Sequence, residues 1–102
     1  MCYIVNDGRR FVWDPKKAQL NIKKHHVSFE QAIQVFSDPL SMSKQDRIEN
    51  GEQRWITIGL SRGYVLLVVA HSVRLEQGGD EIIRIISARR ADKGERLRYE
   101  AS

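Results

Sequence analysis

Several features that often define a protein's class are scarce or missing in this chain of 102 residues. Its one cysteine, Cys2, excludes an intramolecular disulfide and fits the reducing conditions of the cytoplasm. No apolar run approaches the ~20 residues of a membrane-spanning helix, and residues 1–10 lack the apolar core of a signal peptide. The length supports one modest core, which excludes a multidomain protein or a large cofactor-binding fold. We therefore predict a single cytoplasmic domain over residues 1–102.

Motifs for metal binding and for a serine nucleophile lack the context that they require. His25 and His26 are adjacent and point to different sides of a helix end. Because no C-x-x-C or H-E-x-x-H spacing is present, no metal or other cofactor is expected. Residues 59–63 match G-x-S-x-G, but a nucleophile elbow needs a strand, a turn and then a helix in a large parallel sheet. Another strand follows here, so this segment is interpreted as a hairpin loop.

The net charge of +4 is unevenly distributed along the chain. Residues 1–27 carry six basic and two acidic side chains. Residues 28–83 carry five basic and eight acidic side chains, and residues 84–98 carry six basic and two acidic ones. Two basic segments therefore flank an acidic one, which indicates an anionic partner such as a nucleic acid. Solvated helices that happen to be basic would produce the same pattern.

Capping residues and apolar spacing predict three helices. The second is the clearest, because Phe29, Ala32, Ile33 and Phe36 recur at i, i+3, i+4 and i+7, and we assign them to the core. The first is basic with few apolar residues, and the third is short and needs the sheet or a partner for stability. The predicted starts and stops are Asp14-Pro15 for the first helix, Ser28 and Asp38-Pro39 for the second, and Asp92 with Glu95 for the third.

From residue 40 onward the apolar period changes to two, which indicates β-strands. Asn50-Gly51 and Gly78-Gly79 mark turns, and short turns between successive strands predict an antiparallel sheet of three to four strands. The segregation of helices and strands predicts an α+β fold, with the two N-terminal helices on one face of the sheet and a short C-terminal helix. Residues 1–10 are expected to form either a short strand, with a turn at Asp7-Gly8, or a flexible extension.

Basic and imidazole side chains near the strand ends are the candidates for function. Arg84 interrupts four isoleucines, so it must lie on an open sheet face or pair with a carboxylate. His71 is a candidate for proton transfer, and a satisfied or edge histidine is the structural alternative. Cations and a tyrosine beside an open sheet face suit RNA phosphates and bases, whereas ion pairs with the acidic segment are the competing interpretation.

An ordered set of residues from position 11 to about 100 resembles the BrnT family. His26 departs from the family pattern, in which glycine is common after the Lys-His pair. The residues that carry the resemblance are Phe11-x-Trp13-Asp14, Lys17, Asn21, Lys24-His25, Val27-Ser28-Phe29, Phe36, Asp38-Pro39, Glu52-x-Arg54, Ile58-Gly59, the strand over 66–71, the segment over 84–90, Glu95 and Tyr99.

The resemblance implies a toxin of a type II toxin–antitoxin pair with a RelE-like fold. It also implies a metal-independent endoribonuclease that cleaves RNA through the 2′-hydroxyl and inhibits translation. The implied partner is a BrnA-type antitoxin with a ribbon-helix-helix region, in a hetero-oligomer that reaches operator DNA only through the antitoxin. The alternative is a non-catalytic RNA- or protein-binding module of the same fold.

Such a reaction needs a base for the 2′-hydroxyl proton, cations for the charge on phosphorus and an acid for the leaving 5′-oxygen. The arginines are expected to hold the phosphate and the histidines to transfer protons. The residues expected in catalysis are Arg54, His71, Arg84, Arg89 and His25. The residues expected to contact RNA are Lys24, Arg90, Arg96 and Tyr99.

Overall fold

The computed structural model of the protein describes residues 2–6 and 8–102. Within these residues the strands are β1 (Cys2–Asn6), β2 (Arg9–Trp13), β3 (Met42–Glu49), β4 (Glu52–Ser61), β5 (Val65–Leu75) and β6 (Glu81–Arg90). The helices are α1 (Pro15–His25), α2 (Phe29–Ile33), which continues as a 3-10 helix (Gln34–Ser37), and α3 (Lys93–Ala101). The strands form one mixed sheet in the order β1-β2-β6-β5-β4-β3.

The α+β class and the three helices are confirmed, but the predicted strand count and the purely antiparallel pairing are wrong. The described residues form six strands, because β1 and β2 join the sheet, and β2 runs parallel to β6. Phe11 pairs with Ile83 and is fully buried, so this edge of the sheet contributes to the core. The observed six-stranded mixed sheet therefore matches the predicted RelE-like fold only in part. The predicted turn at Asp7-Gly8 falls partly on Asp7, which lies outside the described residues.

One face of the sheet packs against α2 and the 3-10 helix and forms the hydrophobic core. The apolar stripe predicted for the second helix is buried here. Gly59 of β4 allows the 3-10 helix to approach closely, because a Cβ atom at this position would lie 2.9 Å from Val35 Cγ1. Other members of this core are Phe11, Trp13, Val27, Leu67, Val69, Ile83, Ile85 and Ala88. We call the opposite side of the sheet the open face.

Helix α1 is joined to β6 by a polar contact. The Asn21 side chain donates to the Ala88 carbonyl (2.8 Å) and to the Val27 carbonyl (2.9 Å), and it accepts from the Ala88 amide (3.1 Å). Within the described part of the chain, strand β2 pairs only with residues 82–84 of β6, so the backbone of Ala88 has no strand partner on that side. Asn21 supplies the missing hydrogen bonds there. Leu20 of the same helix is 64% exposed, so this helix is attached by hydrogen bonds more than by apolar burial.

Helix α3 is held by two polar contacts at its ends. The predicted capping box of Asp92 and Glu95 is present at its start. Glu95 also accepts two hydrogen bonds from Arg89 of β6, at 2.8 and 2.9 Å. Near its end, the Tyr99 hydroxyl donates to Asp38 (2.5 Å), the residue that ends the 3-10 helix. These contacts compensate for the small apolar content of a helix that is marginal alone.

Candidate active site

Two arginines meet across three strands on the open face. Arg54 of β4 lies opposite Ser72 of β5, and Ser72 lies opposite Arg84 of β6. Cross-strand partners point to the same side of a sheet, and the outer strands of the three are ~10 Å apart, so long side chains can converge. Arg84 donates to Glu52 Oε1, and an Arg54 guanidinium nitrogen lies 3.6 Å from the same oxygen. The carboxylate is therefore shared, and the three side chains retain a net charge of +1.

A second row of charges lies beside the first. Arg10 and Arg74 lie 3.8 and 3.9 Å from the two carboxylate oxygens of Glu76. Arg10 on β2 and Arg74 on β5 are both paired with Ile82 of β6. Ile82 is two residues before Arg84, so this second row of side chains lies next to Arg84 on the same face. Four arginines thus face two glutamates at this end of the open face. We call the six residues the arginine cluster: Arg10, Arg54, Arg74, Arg84, Glu52 and Glu76.

The two central arginines differ in accessibility. The Arg54 side chain is 15% exposed, and its Nε has no hydrogen-bond partner among the described residues, whereas the Arg84 side chain is 39% exposed. Arg84 borders a cavity of about 140 Å³ that Ser72 and Glu52 also line. Since a water occupies ~30 Å³, this space admits a group of several non-hydrogen atoms. Arg84 is placed to bind an anion directly, with Arg54 supplying a fixed charge beside it.

His71 lies on the other side of the sheet, because successive strand residues point to opposite faces and Ser72 occupies the open one. It is 3% exposed, bonded through Nε2 to Thr57 Oγ1 (2.7 Å) and packed edge-on against Phe36 (4.9 Å). Burial lowers the pKa of His71 to about 4, against a smaller opposing effect of the Ser72 backbone. The structure therefore does not bring His71 to the arginines, and its predicted role in proton transfer is not favoured by its position.

The buried imidazole predicts a loss of stability in mild acid. The folded pKa of His71 lies below the ordinary 6.5, so the unfolded chain takes up the proton first as the pH falls. The free energy of unfolding should decrease between pH 6.5 and about 4, and the ring protons of folded His71 should titrate near pH 4 in an NMR experiment. A midpoint near 6.5 in the folded protein would contradict this prediction.

His25 and Lys24 lie at the end of α1, beside β6. Both line a shallow groove with Ile86 and Ser87, close in sequence to Arg84. Ser87 is opposite Ala70, two residues before Ser72 on β5, so this groove borders the open face near the arginine cluster. Unlike His71, this histidine and this lysine therefore lie outside the core, at the border of the open face.

The remaining predicted residues lie around α3. The bidentate bond to Glu95 raises the pKa of Arg89, and the same bond lowers the pKa of Glu95 to about 2, so Arg89 is engaged in fixing the helix. Arg90 and Arg96 are exposed. Burial, together with the bond to Asp38, raises the pKa of Tyr99 to about 12. Tyr99 is 9% exposed, so its position does not favour the predicted contact with RNA.

Sequence reasoning gave no role to Glu52 and Ser72. Glu52 and Arg54 are two residues apart, and on a strand this spacing places both side chains on one face. That signal was available in the sequence. The contribution of Ser72 depends on the register between β4, β5 and β6, which no local pattern specifies.

Residues 2–6 and 8–102 offer neither a metal-binding cluster nor a membrane-spanning helix. They hold no group of three or more histidine, cysteine, aspartate or glutamate side chains placed to bind a metal ion. No helix among them is both long and apolar enough to cross a membrane.

Residues 13–95 match a family model described as the ribonuclease toxin BrnT of type II toxin–antitoxin systems. The chain belongs to the BrnT family. A similar solved structure is the 1.1 Å crystal structure of the Brucella abortus ribonuclease toxin BrnT, with a TM-score of 0.55 and 25% identity. The similarity covers 81% of this chain and 96% of the other. No curated protein matches the chain.

Family membership confirms the resemblance read from the sequence. It assigns the chain to ribonuclease toxins of type II toxin–antitoxin systems, and therefore implies an antitoxin partner. Arg54, Arg84 and Glu52 lie within the matched residues, and so do His25 and Lys24. Arg10, Arg96 and Tyr99 lie outside them. The central part of the arginine cluster is thus contained in the BrnT-like part of the chain.

Proposed function

We propose that this BrnT-family toxin acts in the cytoplasm as a metal-independent endoribonuclease that inhibits translation by cleaving RNA on the open face of its sheet. The observation that supports the proposal is the convergence of Arg54 and Arg84 on Glu52 across three strands. Positioned cations in a partly buried site stabilise the charge that develops on phosphorus in phosphoryl transfer. The small cavity beside Arg84 has room for the phosphate.

In the proposed reaction the RNA 2′-oxygen attacks phosphorus while the bond to the 5′-oxygen breaks. A 2′,3′-cyclic phosphate and a 5′-hydroxyl result, and the proton lost by the 2′-oxygen is balanced by one gained by the 5′-oxygen. An entering phosphate competes with Glu52 for Arg84, which frees the carboxylate to accept the 2′-hydroxyl proton. His25, with Lys24 beside it, is the proposed proton donor to the 5′-oxygen.

The reaction can be tested with the purified chain and a single-stranded RNA in the presence of EDTA. We expect cleavage with cyclic-phosphate and 5′-hydroxyl ends, and no cleavage of the same RNA with 2′-O-methyl groups. Dependence on added metal, or ends with a 5′-phosphate, would contradict the mechanism. Tight RNA binding without cleavage would instead support the non-catalytic module that shares this fold.

The proposed partner is a BrnA-type antitoxin with a ribbon-helix-helix region. Helix α1 supports an acidic partner surface, because Pro15–His25 contains four lysines and no acidic residue, and Leu20 is exposed among them. Co-expression should yield a hetero-oligomer in which cleavage is suppressed. Operator DNA should bind this complex and not the toxin alone, since DNA contact is assigned to the antitoxin.

A further inference from the structure

A second cavity opens on the open face, between the arginine cluster and α3. Its volume is about 350 Å³. Its floor is apolar and is formed by Met42, Ile56, Ile58 and Val68 of three adjacent strands. Lys44 of β3 and Arg98 of α3 stand at its rim. We call this space the α3 cavity. An apolar floor with a few polar groups at the edge is typical of a ligand site, and the volume is at the lower end of the usual ~300–1,000 Å³.

The charges at the rim are available to a ligand. Lys44 and Arg98 are exposed, and neither has an ion pair within 4 Å among the described residues. The acidic residue at the rim, Glu95, already accepts from Arg89 and from the Asp92 backbone amide. The rim therefore presents two cations without a direct ion pair, and its carboxylate is largely neutralised by Arg89, with a weaker electrostatic contribution from Arg98.

The α3 cavity and the central arginines are neighbours along the same strand. Ile56 lies two residues after Arg54 on β4, a distance of ~7 Å along the strand. Both side chains point to the open face, so one extended nucleic acid chain can contact both. A strand whose phosphate is bound by Arg54 and Arg84 would therefore place an adjoining nucleotide over Ile56 and Ile58.

We propose that the α3 cavity binds a nucleobase of the RNA substrate, with Lys44 and Arg98 donating to acceptors on the base edge. This inference rests on the proposed function, because the position of the base depends on a phosphate at Arg54 and Arg84. Guanine fits best, since O6 and N7 are adjacent acceptors that lysine and arginine bind well. Adenine presents an amino donor in place of O6, which meets a cation unfavourably.

The inference predicts a guanine preference that disappears when the rim cations are removed. The probes are two short 2′-O-methyl oligouridylates that differ only in one central base, guanine in one and adenine in the other, measured by fluorescence anisotropy. The wild-type chain should bind the guanine probe roughly tenfold or more tightly. Lys44→Ala combined with Arg98→Ala should bring the two affinities together. Lys93→Ala is the matched control, because it removes an exposed cation from the same helix without touching the cavity.

A variant that fills the α3 cavity provides an independent measurement. Ile58→Trp should shift the sites of RNA cleavage away from guanine, and thermal unfolding verifies that the variant is folded. If it does not fold, the exposed rim variants still decide the question.

Equal wild-type binding of both probes would overturn the inference, as would an unchanged preference in the rim variants. The inference would also be overturned if the rim variants lost antitoxin binding but kept the guanine preference. The α3 cavity would then be a surface for protein docking. Each of these results leaves the proposed function standing, which fails separately if the purified wild-type chain does not cleave RNA in the presence of EDTA.

Discussion

Replacement of Arg84 by alanine is expected to lower the rate of RNA cleavage by about 10²–10³-fold and to relieve growth arrest on expression. Its guanidinium is the more exposed of the two central arginines and borders the small cavity proposed for the phosphate. Removal of a preorganised donor to the reacting phosphate raises the transition-state energy without a comparable effect on the fold. Single-turnover cleavage rates and colony counts after induction measure the two effects.

The fold should survive this change because Glu52 keeps Arg54 as a partner at 3.6 Å. Arg47→Ala is the matched control, since that side chain is 72% exposed, pairs with Glu49 and does not line the cavity beside Arg84. Arg84→Lys keeps the charge but not the planar fork, so an intermediate rate is expected. A folded Arg84→Ala chain with full toxicity would remove Arg84 from the mechanism.

Replacement of Asn21 by leucine is expected to lower the free energy of unfolding by about 3 kcal/mol or more. The side-chain amide satisfies three backbone groups, the amide and carbonyl of Ala88 and the carbonyl of Val27. Leucine has a similar size but cannot replace these bonds, and each buried unsatisfied group costs about 1–3 kcal/mol. Urea denaturation of both chains gives the difference.

The neighbouring Leu20 provides the control for this prediction. It is 64% exposed, so Leu20→Ala should change the free energy of unfolding by no more than about 0.5 kcal/mol. The contrast would be opposite to the usual expectation, in which the apolar residue of a helix matters more than the polar one. If Asn21→Leu lowers the free energy of unfolding by less than about 1 kcal/mol, the prediction is contradicted. Water or another group would then satisfy the backbone amide and carbonyl of Ala88.

The helices are the elements that local sequence predicts best. Their starts depend on side chains that bond to the backbone within three residues, as Asp14 does to the amide of Lys16 and Ser28 to that of Gln31. The apolar stripe of the second helix likewise identifies its buried face without knowledge of its partner. The sheet is different, because its strand order depends on contacts between distant segments. The parallel pairing of residues 10–12 with 82–84 is one such contact.

The sequence by itself determined the fold class, the helix starts, the family resemblance and the presence of arginines suited to an anion. Because strand periodicity is local, the two-residue spacing of Glu52 and Arg54 also implies that they share one face, although no role was predicted for Glu52. Only the tertiary structure decided which candidates share a site. It joined Arg54 to Arg84 through Glu52, and it buried His71 behind the sheet although Ser72 next to it faces the arginines. The physical reason is that periodicity divides a strand into two faces but does not say which face the helices cover, and only packing across the whole chain settles that choice.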